Sequence, residues 1–121
     1  MLRKVATMLG KEVSMTGPAI VRDLREPIST PADGIVSRAI HDDAACRVIL
    51  FSFAAGQQLS DHTASMPAIL EVVEGEADLS VGGEHIEGRP GTWIHMAADT
   101  SHGIVARTPL TLLLTLIKQR G

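Results

Sequence analysis

The chain has 121 residues, a formal net charge of -3 and a sequence pI near 5.9. That length suits one domain able to bury about two-thirds of its unfolded surface without staples. The acidic balance excludes the clustered basic surface that nucleic acid requires. The single cysteine, Cys46, excludes an internal disulfide and fits a reducing compartment. It heads the apolar run CRVILFSF and reads as a packing thiol. The longest mostly apolar run, LTLLLTLI at 110–117, is far short of the roughly 20 residues a membrane-spanning helix needs. Lys11 and Glu12 end the apolar start of the chain too early for a signal peptide. A cytoplasmic protein with no membrane partner is the expectation.

In chain order, Met1, Val5, Met8 and Leu9 are spaced for a short amphipathic turn. Pro18, Pro27, Pro31 and the PADG turn signal mark 17–45 as early strands and loops. Residues 1–32 are therefore read as an N-terminal arm with early strands, and 33–121 as the barrel domain. RVILFSF (47–53) is a strand ended by Ala54-Ala55-Gly56, and AILEVVEG (68–75) is a strand ended at Gly75. ADLSV (77–81) alternates apolar and polar, and Gly82-Gly83 follows as a two-residue hairpin. TWIHM (92–96), HGIVA (102–106) and LTLLLTLI (110–117) complete the set, with Leu110, Leu112, Leu114 and Leu116 on one face. The fold class expected is all-β, a sandwich or barrel with little helix. Val48 and Leu50 face away from Ile49, Phe51 and Phe53, so that strand is apolar on both sides. Its outer face is expected to be covered by the N-terminal arm or by a second subunit, which makes a homodimer the expected assembly.

Of the five histidines, His85 follows the hairpin glycines and is expected at the surface, and His41 stands beside Asp42-Asp43 in a turn. His62, His95 and His102 lie in the two most ordered stretches. The segment 56–75 resembles the first motif of the cupin family, G-x5-H-x-H-x3-E-x6-G: Gly56, His62 and Gly75 match, with Ala64 and Ala68 at the second histidine and the glutamate. The segment 91–106 resembles the second motif, G-x5-P-x-G-x2-H-x3-N: Gly91 and His102 match, and Ala97, Asp99 and Ala106 replace the proline, glycine and asparagine. The wording of VVEGEADLSVGG and GTWIHMAADTSHGI is also similar to small single-domain cupins of the cupin 2, RmlC-like kind, and the likeness runs from about residue 33 to 118.

The resemblance implies a double-stranded β-helix, or jelly-roll, barrel. It also implies a metal held at 62, 64, 68 and 102, of which this chain keeps His62 and His102. Two imidazoles fall short of the three protein ligands usual in a catalytic centre. His95, Asp61 and Asp99 are the alternatives for a third: His95 shares a face with Ala97, Asp61 should point away from His62, and Asp99 could instead cap its turn. Glu71 is three residues from Ala68 and so on the opposite face. Met66, Trp93, His95 and Met96 are candidate lining of a ligand pocket. Three readings follow: a module binding a small molecule in the barrel cavity, with or without one divalent transition metal (Fe, Mn, Ni or Zn); a metal-dependent dioxygenase or isomerase; and a structural dimerisation barrel. The two lost ligand positions favour the first. Nucleophilic catalysis has no support, since no Ser-His-Asp or Cys-His arrangement can be read.

Overall fold

The computed structural model describes the backbone of residues 5–8, 11–14 and 17–118, and the side chains of 17–118. Among the described residues there are eleven strands and no helix. Among the described residues no helix is therefore long and apolar enough to cross a membrane, which says nothing of a β-barrel in a membrane. Strands β1 (Val5–Met8) and β2 (Lys11–Ser14) form an antiparallel pair. The amphipathic turn expected over this stretch is thus replaced by strand at Val5 and Met8; Met1 and Leu9 lie outside the described residues. Apolar spacing in so short a segment fits either state.

The barrel strands are β3 (Ile35–Asp42), β4 (Cys46–Phe53), β5 (Gln58–His62), β6 (Ala68–Glu74), β7 (Ala77–Val81), β8 (Glu84–Gly88), β9 (Trp93–Met96), β10 (His102–Ala106) and β11 (Leu110–Ile117). They build one sheet in the order β3-β4-β11-β6-β9 and another in the order β5-β10-β7-β8. Every pairing is antiparallel. The neighbours of a strand are mostly not its neighbours in sequence, which is the topology of a double-stranded β-helix. The hairpin between β7 and β8 turns on Gly82 and Gly83 at φ 57° and 85°, the left-handed values a two-residue turn demands.

The core lies between the two sheets. Phe53, Leu110 and Leu112 come from one sheet, Leu79, Ile104 and Ala106 from the other. The period-2 face of β11 is aligned on β4, with Leu110 opposite Phe53 and Leu112 opposite Phe51. The other face of the larger sheet is buried in part. Leu50 and Ser52 on β4 and Thr111 on β11 are buried although they point away from that core. The segment preceding β3 is tied to this sheet at Pro27, whose carbonyl accepts a hydrogen bond from Arg38 Nη1 of β3 at 2.5 Å. Burial on both faces is thus achieved within one chain at these positions.

Candidate functional site

His62 ends β5 and His102 opens β10, and the two are direct cross-strand partners. Along β10, His102, Ile104 and Ala106 point into the barrel and Val105 points out. Leu59 of β5 lies opposite Ile104 and packs on the same core. Leu59 and His62 are an odd number of residues apart, so a regular strand would send them to opposite faces. The ladder shifts between them: two steps on β10 (104 − 102) match three on β5 (62 − 59). This β-bulge returns His62 to the inner face, a re-aiming that bulges beside functional sites commonly perform.

The main chain then fixes both rings. His62 Nδ1 lies 2.9 Å from the carbonyl oxygen of Ser60 in the bulge, and His102 Nδ1 lies 2.9 Å from that of Thr100. A carbonyl only accepts, so each Nδ1–H donates and each Nε2 keeps its lone pair. Metal-ligating imidazoles are oriented by this kind of outer hydrogen bond. The ring centroids are 4.3 Å apart and the planes inclined by 56°. His102 is buried, at 9% exposure, and His62 is open to solvent, which puts the pair at the barrel mouth.

Beside the pair, Asp99 adopts φ 64° and its N–H donates to the carbonyl of Ala64 at 2.8 Å. Thr100 Oγ1 donates to the carbonyl of Ala97, also at 2.8 Å. Asp99 thus takes the left-handed conformation that the motif assigns to glycine, which aspartate tolerates better than most residues. Its backbone pins the turn before His102 to the segment after His62. Ala68 faces inward at 3% exposure, opposite Met96 and Leu116, so the position of the missing glutamate is a methyl group packed in the core.

Two expectations, for His95 and for Trp93, are corrected. On β9, Ile94 and Met96 face the core, so Trp93 and His95 between them face outward, opposite Glu71 and Ile69. His95 is therefore not a third ligand beside His62 and His102. Trp93, 58% exposed on the same outer face, lines no inner pocket. Met96 belongs to the packed core, while Met66 is half-buried after β5. Glu71 sits on the outer face, as its odd offset from Ala68 required.

Asp61 also turns outward. It accepts from Ser80 Oγ at 2.7 Å across Gly103, where a Cβ would stand 2.2 Å from the carboxylate oxygen. With Asp78 and His85 these residues line an outer hollow of about 200 Å³, in which His85 Nε2 is 3.2 Å from Asp78 Oδ1. That hollow was not foreseen; its one sequence signal is a glycine directly after His102.

Among the described residues, no third His, Cys, Asp or Glu side chain joins His62 and His102 in a metal-holding group. A resident catalytic metal with three protein ligands therefore does not fit this site. Two imidazoles with centroids 4.3 Å apart do fit a cation whose other positions are filled by water or a ligand.

Solved structures place the barrel. A cupin superfamily protein from Desulfitobacterium hafniense matches with a TM-score of 0.77 at 17% identity, over 96% of this chain and 99% of that one. An RmlC-like cupin from Desulfovibrio desulfuricans matches with a TM-score of 0.72 at 25% identity, over 81% of this chain and 95% of that one. The chain has the cupin fold. A cupin 2 conserved barrel domain protein from Leptotrichia buccalis matches with a TM-score of 0.70 at 26% identity, over 77% of this chain and 45% of that one. No family model and no curated protein matches the sequence. At these identities the likeness establishes the cupin barrel and leaves the ligand to the site itself.

Proposed function

We propose that this cupin binds a small molecule at the barrel mouth, over the His62–His102 pair. The observation that carries the reading is the commitment of both Nδ1–H groups to carbonyls, which leaves two Nε2 acceptors side by side. Such a pair suits a ligand that presents hydrogen-bond donors, or one that arrives with a divalent transition metal and completes its coordination. The position of the motif's glutamate is the buried methyl of Ala68, paired with Met96 in the core, so no carboxylate is offered there. A metal-dependent dioxygenase or isomerase would need a further protein donor, and alanines stand at 64 and 68 where the motif carries them. Binding without chemistry is therefore the reading this donor set favours.

Calorimetric titration of chelator-treated protein with Ni2+ tests it. Native protein is expected to take up an equivalent of modest affinity that His62→Ala and His102→Ala both lose and His85→Ala keeps. Each variant should stay folded, at a cost within the roughly 0.5 to 3 kcal/mol usual for point substitutions. Unchanged Ni2+ uptake in His62→Ala and His102→Ala would remove the site.

A further inference from the structure

A second cluster of potential ligand side chains, His41, Asp43 and Cys46, lies in the other sheet, on the hairpin joining β3 to β4. The β3–β4 ladder shifts between Ala39 and His41, so His41 pairs with Val48 and shares the outer face with Cys46. Without that bulge His41 would follow Ile35, Ser37 and Ala39 to the inner face. Between His41 and Cys46 the turn is organised by Asp43. Its Oδ1 accepts the N–H groups of Ala45 at 2.8 Å and Cys46 at 2.9 Å, and its own N–H donates to the Cys46 carbonyl at 3.0 Å. Oδ2 is left to face His41 Nε2 at 2.8 Å. The imidazole nitrogen, the carboxylate oxygen and the thiol sulfur all lie within 4.8 Å of one another. The neighbouring Asp42 is engaged by Lys118, whose Nζ also donates to the Asp43 carbonyl at 2.7 Å.

We propose that His41 Nε2, Asp43 Oδ2 and Cys46 Sγ form a zinc-type site for a divalent transition metal on the outside of the barrel. A tetrahedral ion with bonds of about 2.0 to 2.3 Å holds its ligand atoms roughly 3.3 to 3.8 Å apart, so the trio needs only small side-chain adjustments. The mixed nitrogen, oxygen and sulfur set suits Zn2+ or Co2+ and leaves the fourth position to water. On binding, the Cys46 thiol gives its proton to solvent. The His41 ring proton leaves Nε2 and is carried on Nδ1, so that one ion enters and one proton departs. Burial first, and the Asp43 carboxylate next, push the Cys46 thiol up from its usual range, which keeps it protonated until a cation offsets both.

Cobalt reads the site directly, because Cys46 is the only cysteine and so the only source of a thiolate-to-cobalt band. Co2+ added to the chelator-treated chain is expected to give a near-ultraviolet charge-transfer band and the visible spectrum of four-coordinate cobalt, saturating at one equivalent and bleached by Zn2+. Cys46→Ser should abolish the band. His41→Ala and Asp43→Asn should weaken Co2+ affinity by at least about tenfold; Asn keeps an oxygen for the turn hydrogen bonds, so that variant should remain folded. His62→Ala and His102→Ala should leave the band unchanged, which separates this site from the barrel mouth. Absence of the band in native protein, or its persistence at full affinity in Asp43→Asn, would overturn the proposal.

Discussion

Gly75 shows how a motif residue is fixed by sterics. It sits at φ 89°, and a Cβ there would lie 2.0 Å from the carbonyl oxygen of Pro109 and 2.9 Å from the Cα of Leu110. Both obstacles are backbone, so neither can swing aside. Gly91 has a similar φ of 96° but open space around the same position. Gly91→Ala is therefore expected to cost the conformational strain alone, about 1 to 2 kcal/mol. Gly75→Ala should add an overpacking cost of about 1 to 3 kcal/mol to that. Denaturant unfolding of the two variants checks the order, and equal costs would contradict the steric account. At this scale His62, His102 and the glycines were legible because their spacing is local. Cys46 reads in sequence as a packing thiol and His41 as a turn residue. The bulge that puts them on one face depends on pairing with another strand, which neither residue's own segment displays.

Strands of the barrel were legible wherever the side-chain period survives, as in Leu110–Ile117, whose inward leucines meet Phe51 and Phe53. Less was legible where one residue is inserted. The bulge in β5 changes nothing in composition, yet it decides whether His62 points into the barrel or out of it. The face of His95 had the same difficulty: parity tied it to its neighbours, but only the pairing of Ile94 and Met96 with inward residues of β6 shows that face to be outside. Removing the inserted residue tests the role of the bulge. Deletion of Ser60 should restore a regular register with His62 two positions from Leu59, which keeps the ring on the inner face. The strand-type circular dichroism spectrum and the His62-dependent Ni2+ equivalent should both remain. Loss of that equivalent with the strand spectrum intact would show that the face of the ring is not set by this register.

Across the whole molecule, both faces of the larger sheet are buried at Leu50, Ser52 and Thr111 on one side and Phe53 and Leu112 on the other. The segment preceding β3 is tied to that sheet through the Pro27 carbonyl and Arg38. Large apolar side chains still stand outside it, with Trp93 58% and Ile20 70% exposed. Self-association as a homodimer is the expected way to bury them, and light scattering at micromolar concentration should give twice the chain mass. A monomeric mass would contradict this. The barrel itself was legible from two motifs in order, whereas the loss of a three-ligand metal site was legible only as two alanines.

The central claim is that His62 and His102 form one site with free Nε2 atoms, and long-range ¹⁵N–¹H correlation spectra of the histidine rings test it most directly. Both residues are expected as Nδ1–H tautomers, with their Nε2 resonances shifting together on addition of Zn2+ while His85 stays still. Nε2–H tautomers at His62 and His102, or rings that ignore the ion and each other, would contradict it.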